Sequence, residues 1–233
     1  LSSEAYRRSS DVTAELLERD PENRFLARGA RFRMPSWMIR DQALAASGLI
    51  NSAIGGAPVN TYQPEGIWEE ATFGRKKYKQ DSGDKLYRRS IYVFWRRIIG
   101  PTMFFDSGAR QVCTVKTPRT NTPLHALATL NDITYVEAAR AMAQRVLTAT
   151  GGKASDSDRL RHASRLVLSR SPGEQELKIW KRGLDRARAQ FKSDEEALEE
   201  FLNVGESKRD ENLDKLEHAA LASVCLGLLN LDE

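Results

Sequence analysis

The sequence has little of what most reaction centres are built from. Two cysteines, Cys113 and Cys225, and three histidines, His125, His162 and His218, serve 233 residues. The cysteines form neither a C-x-x-C nor the C-x-x-C-H that attaches haem, which excludes a disulfide framework and a haem site in this chain. Both are expected to be unpaired: Cys225 as a small buried hydrophobe, Cys113 as a structural residue in an alternating apolar stretch. The histidines lack H-x-x-x-H or E-x-x-H spacing, so no metal site and no cofactor are expected here. No Gly-Lys-Ser/Thr follows Gly55 and Gly56, and no G-x-S-x-G elbow occurs, which removes the phosphate loop and the hydrolase nucleophile. No run approaches the roughly 18 uncharged apolar residues that a membrane span needs. The longest, 219–229, reads as a buried helix. The first residues lack the layout of a signal peptide, and the chain opens mid-pattern, as expected of a piece of a longer protein.

What is present has the balance of a globular protein, with 40% apolar and 29% charged residues. Charge is placed unevenly. Residues 1–120 carry 20 Lys/Arg against 13 Asp/Glu, residues 121–233 carry 16 against 19, and the segment 75–119 alone has 12 against 3. That segment can steer an anionic partner, or its arginines can pair internally. It contains no recognised nucleic-acid module, so no nucleic-acid partner is expected.

Periodicity predicts a mainly α fold, a helical bundle with one small two-stranded β element in the central segment. Helices are expected over 2–20, 36–50 and, as a short turn, 67–72. Residues 85–99 are rich in aromatic and β-branched side chains, which favours a strand, with 112–115 as its partner. From Thr122 onward the signals are helical: Thr122-Pro123 as cap and first residue, a re-cap at Asn131-Asp132, a stop at Gly151-Gly152, and starts at Ser155, Ser171, Ser193 and about Asp210. Ser171 through Glu174 reads as a capping box with proline inside it. The acidic clusters Asp156/Asp158 and Glu195/Glu196/Glu199/Glu200 fall on first turns, where they complement the helix dipole. The division is 1–121, carrying the Arg/aromatic segment, and 122–233, the C-terminal bundle, within one continuous domain.

Two stretches carry the candidate site. In 87–97 (YRRSIYVFWRR) each face of an extended chain mixes arginine with bulky apolar groups. An arginine so placed needs a carboxylate, a carbonyl or a ligand anion. It can line a cleft for an acidic polymer or a sulfated sugar, or pair internally with Asp106, Asp132 or Glu70. The second stretch, 110–123, is a donor-rich loop entering a helix N-terminus, a natural anion site. Its Asn121 and Thr122 can equally satisfy the helix itself. The candidate anion or partner site is therefore Arg88, Arg89, Trp95, Asp106, Arg110, Cys113, Arg119 and Asn121.

These stretches also carry a family resemblance. Residues 86–97 (LYRRSIYVFWRR) and 112–132 (VCTVKTPRTNTPLHALATLND) resemble the planctomycete-type C-terminal domain of unknown function (PSD-type), found behind cytochrome-c-like segments in large proteins. So do 6–10 (YRRSS), 20–24 (DPENR), 39–44 (IRDQAL), 62–68 (YQPEGIW) and the ending 228–230 (LLN), so that nearly the whole chain is covered. His125 stands where the family commonly has glutamine, and Ile133 where a proline often follows the Asn-Asp pair. His125 is thus no family-wide catalytic base. The resemblance supplies no reaction. It implies an extracytoplasmic location, haem c only in an upstream segment, and the other domains of the full-length protein as partners, which favours a binding or assembly module. The other class in play is an enzyme domain acting on polyanionic or sulfated carbohydrate, or in redox chemistry with the upstream haem.

Overall fold

The computed structural model describes residues 3–30, 32–96, 99–106 and 121–231. It divides into two compact units, Leu1–Met34 and Pro35–Glu233.

The first unit holds α1 (Ala14–Arg19), which Thr13 caps by accepting from the Leu16 N–H. The helix expected over 2–20 shrinks to these six residues because α1 buries no residue, and without tertiary packing so short a helix is marginal. A polar staple closes the turn that follows. The buried Asp20 carboxylate accepts from the N–H groups of Arg24 and Phe25 at 2.7 and 2.8 Å, and the Arg28 guanidinium donates to the Asp20 and Pro21 carbonyls.

Among the described residues the second unit contains eight further helices: α2 (Ser36–Ser47), α3 (Ile67–Ala71), α4 (Pro123–Asn131), α5 (Ile133–Thr150), α6 (Asp156–Leu168), α7 (Glu174–Ser193), α8 (Glu195–Leu202) and α9 (Lys215–Leu229). At the centre α5 lies against α2, α6 and α9, while α7 and α8 close over α9. Small residues allow the two central helices to approach closely. Ala139 and Ala143 of α5 and Ala219, Ala220 and Ala222 of α9 are all fully buried, with Met142, Val146, Leu160, Leu184, Leu221 and Cys225 filling the space between. A helix apolar on nearly every side, as α9 is, has to be buried. Burial also pushes the Cys225 thiol up to about 12, so this free cysteine is an inert core residue.

The caps follow the sequence closely. Asp132 accepts from the Thr134 N–H, Ser155 and Asp158 form a reciprocal capping box, and α8 and α9 are capped by Asp194 and Asp214, just past the starts expected at Ser193 and about Asp210. The start of α7 differs from the expectation. Its N-cap is Gly173 rather than Ser171, because Glu176 accepts the Gly173 N–H at 2.7 Å while taking both ends of the Arg170 guanidinium at 2.7 and 2.8 Å. Those contacts, with Arg170 first, hold the Glu176 carboxyl down at about 2. A carboxylate with a depressed pKa lends stability at pH values above its unfolded value that is lost as pH falls through its folded one. The thermal midpoint of Glu176→Gln should therefore lie below that of the wild type at pH 7 and converge on it between pH 4.5 and 2. Parallel curves over that window would contradict this. Arg188 closes the other side, reaching Asp156 twice at 2.8 Å and Glu217 twice at 2.7 Å, so that α7 is tied to the first turns of α6 and α9.

The central segment corrects the fold expectation most. The described residues of this run, 85–96 and 99, form no strand. They fold as two 3-10 turns, Gly83–Lys85 and Ser90–Tyr92, with isolated parallel bridges Asn51–Arg88 and Val59–Val93. The partner expected at 112–115 lies outside the described residues.

Candidate functional site

Helix α2 organises the arginine-rich segment. Ser36, Arg40, Ala43, Leu44 and Ser47 form its buried face, so Arg40 occupies a core position. The Arg40 side chain is 0% exposed. Its Nη2 donates to the Leu86 carbonyl at 2.7 Å, and its Nη1 to the Arg88 carbonyl at 2.8 Å and to Ser90 Oγ at 3.2 Å. Burial lowers the pKa of this guanidinium and the neighbouring Asp41 works against that. Asp41, the next residue, accepts from both the N–H and the hydroxyl of Ser90 at 2.8 and 2.7 Å. Two consecutive side chains of one helix thus fix the backbone of 86–90.

The fixed backbone aims Arg88 and Arg89 in different directions. Arg88 is buried and donates to the carbonyls of Ala53, Gly55 and Ala57 at 3.0, 2.6 and 3.2 Å, with its guanidinium 3.8 Å from the centre of the Tyr92 ring. The Tyr92 hydroxyl accepts the Gly55 N–H at 2.8 Å. The loop 53–57 is wrapped around one arginine. Arg89 has a side chain 54% exposed, with its Nε 3.8 Å from Asp41, a distance at which water screens the pair.

Asp106 sits at the other end of the same helix. Both of its carboxylate oxygens accept the Ser36 N–H, at 3.2 and 3.0 Å, and one also accepts the Ser36 hydroxyl. It therefore serves the orphan donors and positive end of α2, not Arg88 or Arg89. Trp95 is half-buried against Phe104, ring centres 5.7 Å apart, in the cluster of Ala43, Val59, Val93, Met103 and Tyr135. Asn121 lies exposed ahead of α4. Arg110, Cys113 and Arg119 lie outside the described residues. Arg88, Arg89 and Asp106 thus meet three positions of α2, while Trp95 belongs to the core beneath.

A second buried polar group was not singled out from the sequence. Glu137 and Arg140 of α5, both about 1% exposed, are 3.9 Å apart. Glu137 Oε1 accepts from the Tyr87 hydroxyl at 2.8 Å and the Ser207 N–H at 2.6 Å, while Arg140 donates to the Ser207 carbonyl at 2.6 Å and to its hydroxyl. The Tyr62 hydroxyl accepts the Glu206 N–H. Burial, reinforced by Glu137, drives the Tyr62 and Tyr87 phenols far above their ordinary range, so both stay protonated donors. His218, fully buried, hydrogen-bonds through Nε2 to the Arg140 carbonyl at 2.9 Å, and burial depresses its pKa. The sequence signal was available: Glu137 and Arg140 stand one residue beyond Val136 and Ala139 of the apolar stripe. Among the described residues no group of three or more His, Cys, Asp or Glu side chains could hold a metal ion.

The arrangement is chemically of one kind: guanidinium groups and carboxylates satisfy backbone carbonyls and N–H groups of irregular chain, as buried polar groups must be satisfied. No curated protein and no solved structure matches the chain significantly. One family model does match, over residues 1–184, and by that match the chain belongs to the PSD1 family, described as "Protein of unknown function (DUF1553)".

Proposed function

We propose that this chain is an extracytoplasmic binding or assembly module that docks against other domains of its full-length protein. The observation supporting a docking role is the consumption of the Arg88 terminal nitrogens: Nη1 and Nη2 donate to the carbonyls of Ala53, Gly55 and Ala57, and Nε is enclosed, so none is aimed at a cleft. An enzyme acting on polyanionic or sulfated carbohydrate would need that guanidinium free for substrate. What Arg88 produces is a loop of fixed shape, and fixed shape favours binding because less is lost on ordering. The extracytoplasmic setting rests on the sequence resemblance. Amide hydrogen exchange of the chain alone and within the full-length protein tests the reading. Slowed exchange in 51–60 and 86–94 of the full-length protein is expected. Identical exchange in both, or turnover of a sulfated polysaccharide by the isolated chain, would overturn it.

A further inference from the structure

The turn after α3 presents an unusual side chain. Phe73 has φ 53°, a left-handed conformation in which a bulky residue is an outlier. It is also 93% exposed. A phenylalanine there contributes nothing to packing, and glycine would suit the backbone better. The turn itself is firmly built. Phe73 and Gly74 donate to the Glu70 and Glu69 carbonyls, Arg75 to the Thr72 carbonyl, and the Thr72 hydroxyl bridges the Trp68 carbonyl and the Lys76 N–H. Beneath it the Trp68 ring stacks with Tyr78 at 5.3 Å and Phe94 at 6.0 Å, and the Arg96 guanidinium lies 5.9 Å from the Trp68 ring centre.

The residues that follow Phe73 are cationic. Arg75, Lys76, Lys77 and Lys79 are all exposed, and 72–80 contains no acidic residue. Glu65, Glu69 and Glu70 lie on the preceding side, in and before α3. The cations form no ion pair with them among the described residues. The turn therefore displays an apolar tip with four cations along one flank. An exposed apolar side chain on a strained, hydrogen-bonded turn, without a role in the fold, points to a ligand. We propose that the Phe73 turn docks the chain peripherally on an anionic lipid surface. The ring enters the boundary between headgroups and acyl chains, and Arg75, Lys76, Lys77 and Lys79 engage the lipid phosphates. A soluble acidic polymer would use the cations but has no apolar phase to receive a ring exposed on all sides.

Sedimentation of the 233-residue chain with phosphatidylcholine vesicles, with and without phosphatidylglycerol at roughly one lipid in three, tests this. The chain should partition onto the anionic vesicles only, and release as salt rises. Phe73→Gly should weaken partitioning about ten-fold while its melting temperature holds or rises, since glycine relieves the left-handed residue. Lys76→Gln with Lys77→Gln should weaken it about ten-fold or more. Three results would overturn the proposal: no partitioning of the wild type, equal partitioning of Phe73→Gly, or a Phe73-dependent complex with heparin in place of vesicle binding.

Discussion

Replacing Arg40 with methionine is expected to remove about 3–5 kcal/mol of folding stability, the range for breaking a buried charged partnership. Methionine keeps most of the volume, so the loss measures hydrogen bonds more than a cavity. The carbonyls of Leu86 and Arg88, in a segment that is itself buried, would lose their guanidinium donors. Water cannot replace them where the side chain is fully enclosed, and each buried carbonyl left unpaired costs about 1–3 kcal/mol. The effect should reach beyond the site. With 86–90 released, Arg88 loses its register under the loop 53–57, so the Ala53, Gly55 and Ala57 carbonyls loosen as well. Against a total of about 5–15 kcal/mol for a domain, this variant should unfold well below the wild type in urea. Arg89→Ala is the matched comparison. Its side chain is half in solvent and its Nε is 3.8 Å from Asp41, a solvent-screened pair, so a loss under about 1 kcal/mol is expected. Equal losses for the two would show that Arg40 is not the organiser of the segment.

That contrast shows what the sequence made legible. The helices after Thr122 were readable because burial and periodicity agree there: Val136, Ala139, Ala143, Val146 and Leu147 are both the three-and-four stripe and the buried face of α5. Their capping residues are local, so Asp132 and Ser155 could be named in advance, while at α8 the cap is Asp194 and not the expected Ser193. The described part of the run, 85–96, forms no strand because β-propensity is a statement about side chains on a pleated surface, and here Arg40 and Asp41, some fifty residues away in sequence, take up the backbone groups of Leu86, Arg88 and Ser90 instead. Of the candidate-site arginines, the described residues include Arg88, whose terminal nitrogens are partnered by backbone, and Arg89, which is half in solvent. Of the carboxylate, carbonyl or anion that Arg88 can take, the structure shows three carbonyls and not Asp106, Asp132 or Glu70, a choice that no composition records. Arg40 itself was visible in principle, standing four residues before Leu44 and three before Ala43 on the apolar side of α2. At the start of α7 the Ser-Pro signal lost to a stronger one, the double engagement of Glu176 by Arg170 and the Gly173 N–H.

The second large effect is expected at Gly205, in the connection between α8 and α9. A Cβ placed there would lie 2.2 Å from Glu137 Cδ and 2.5 Å from its Oε1, and the residue has φ +84°. A long side chain could ordinarily swing aside, but Glu137 is held by the Tyr87 hydroxyl, the Ser207 N–H and the charge of Arg140, and is almost wholly enclosed. Gly205→Ala should therefore incur both costs, left-handed backbone and overpacking, together about 2–5 kcal/mol. Gly55→Ala separates them, because Gly55 has nearly the same φ, +83°, with nothing within 4 Å of its added Cβ, so only the backbone cost of about 1–2 kcal/mol applies. A double-mutant cycle completes the argument. Glu137→Ala alone is costly, since it strands Arg140 and two donors, but it also removes the atoms that the methyl added by Gly205→Ala would strike. The double variant should then be more stable than the sum of the singles by about 1–3 kcal/mol, the overpacking cost alone. If urea unfolding gave additive losses, or if Gly205→Ala matched Gly55→Ala, Glu137 would have to be free to move. The clamp of Glu137, Arg140 and Ser207 on the α8–α9 connection would then be a loose contact and not the lock its geometry implies.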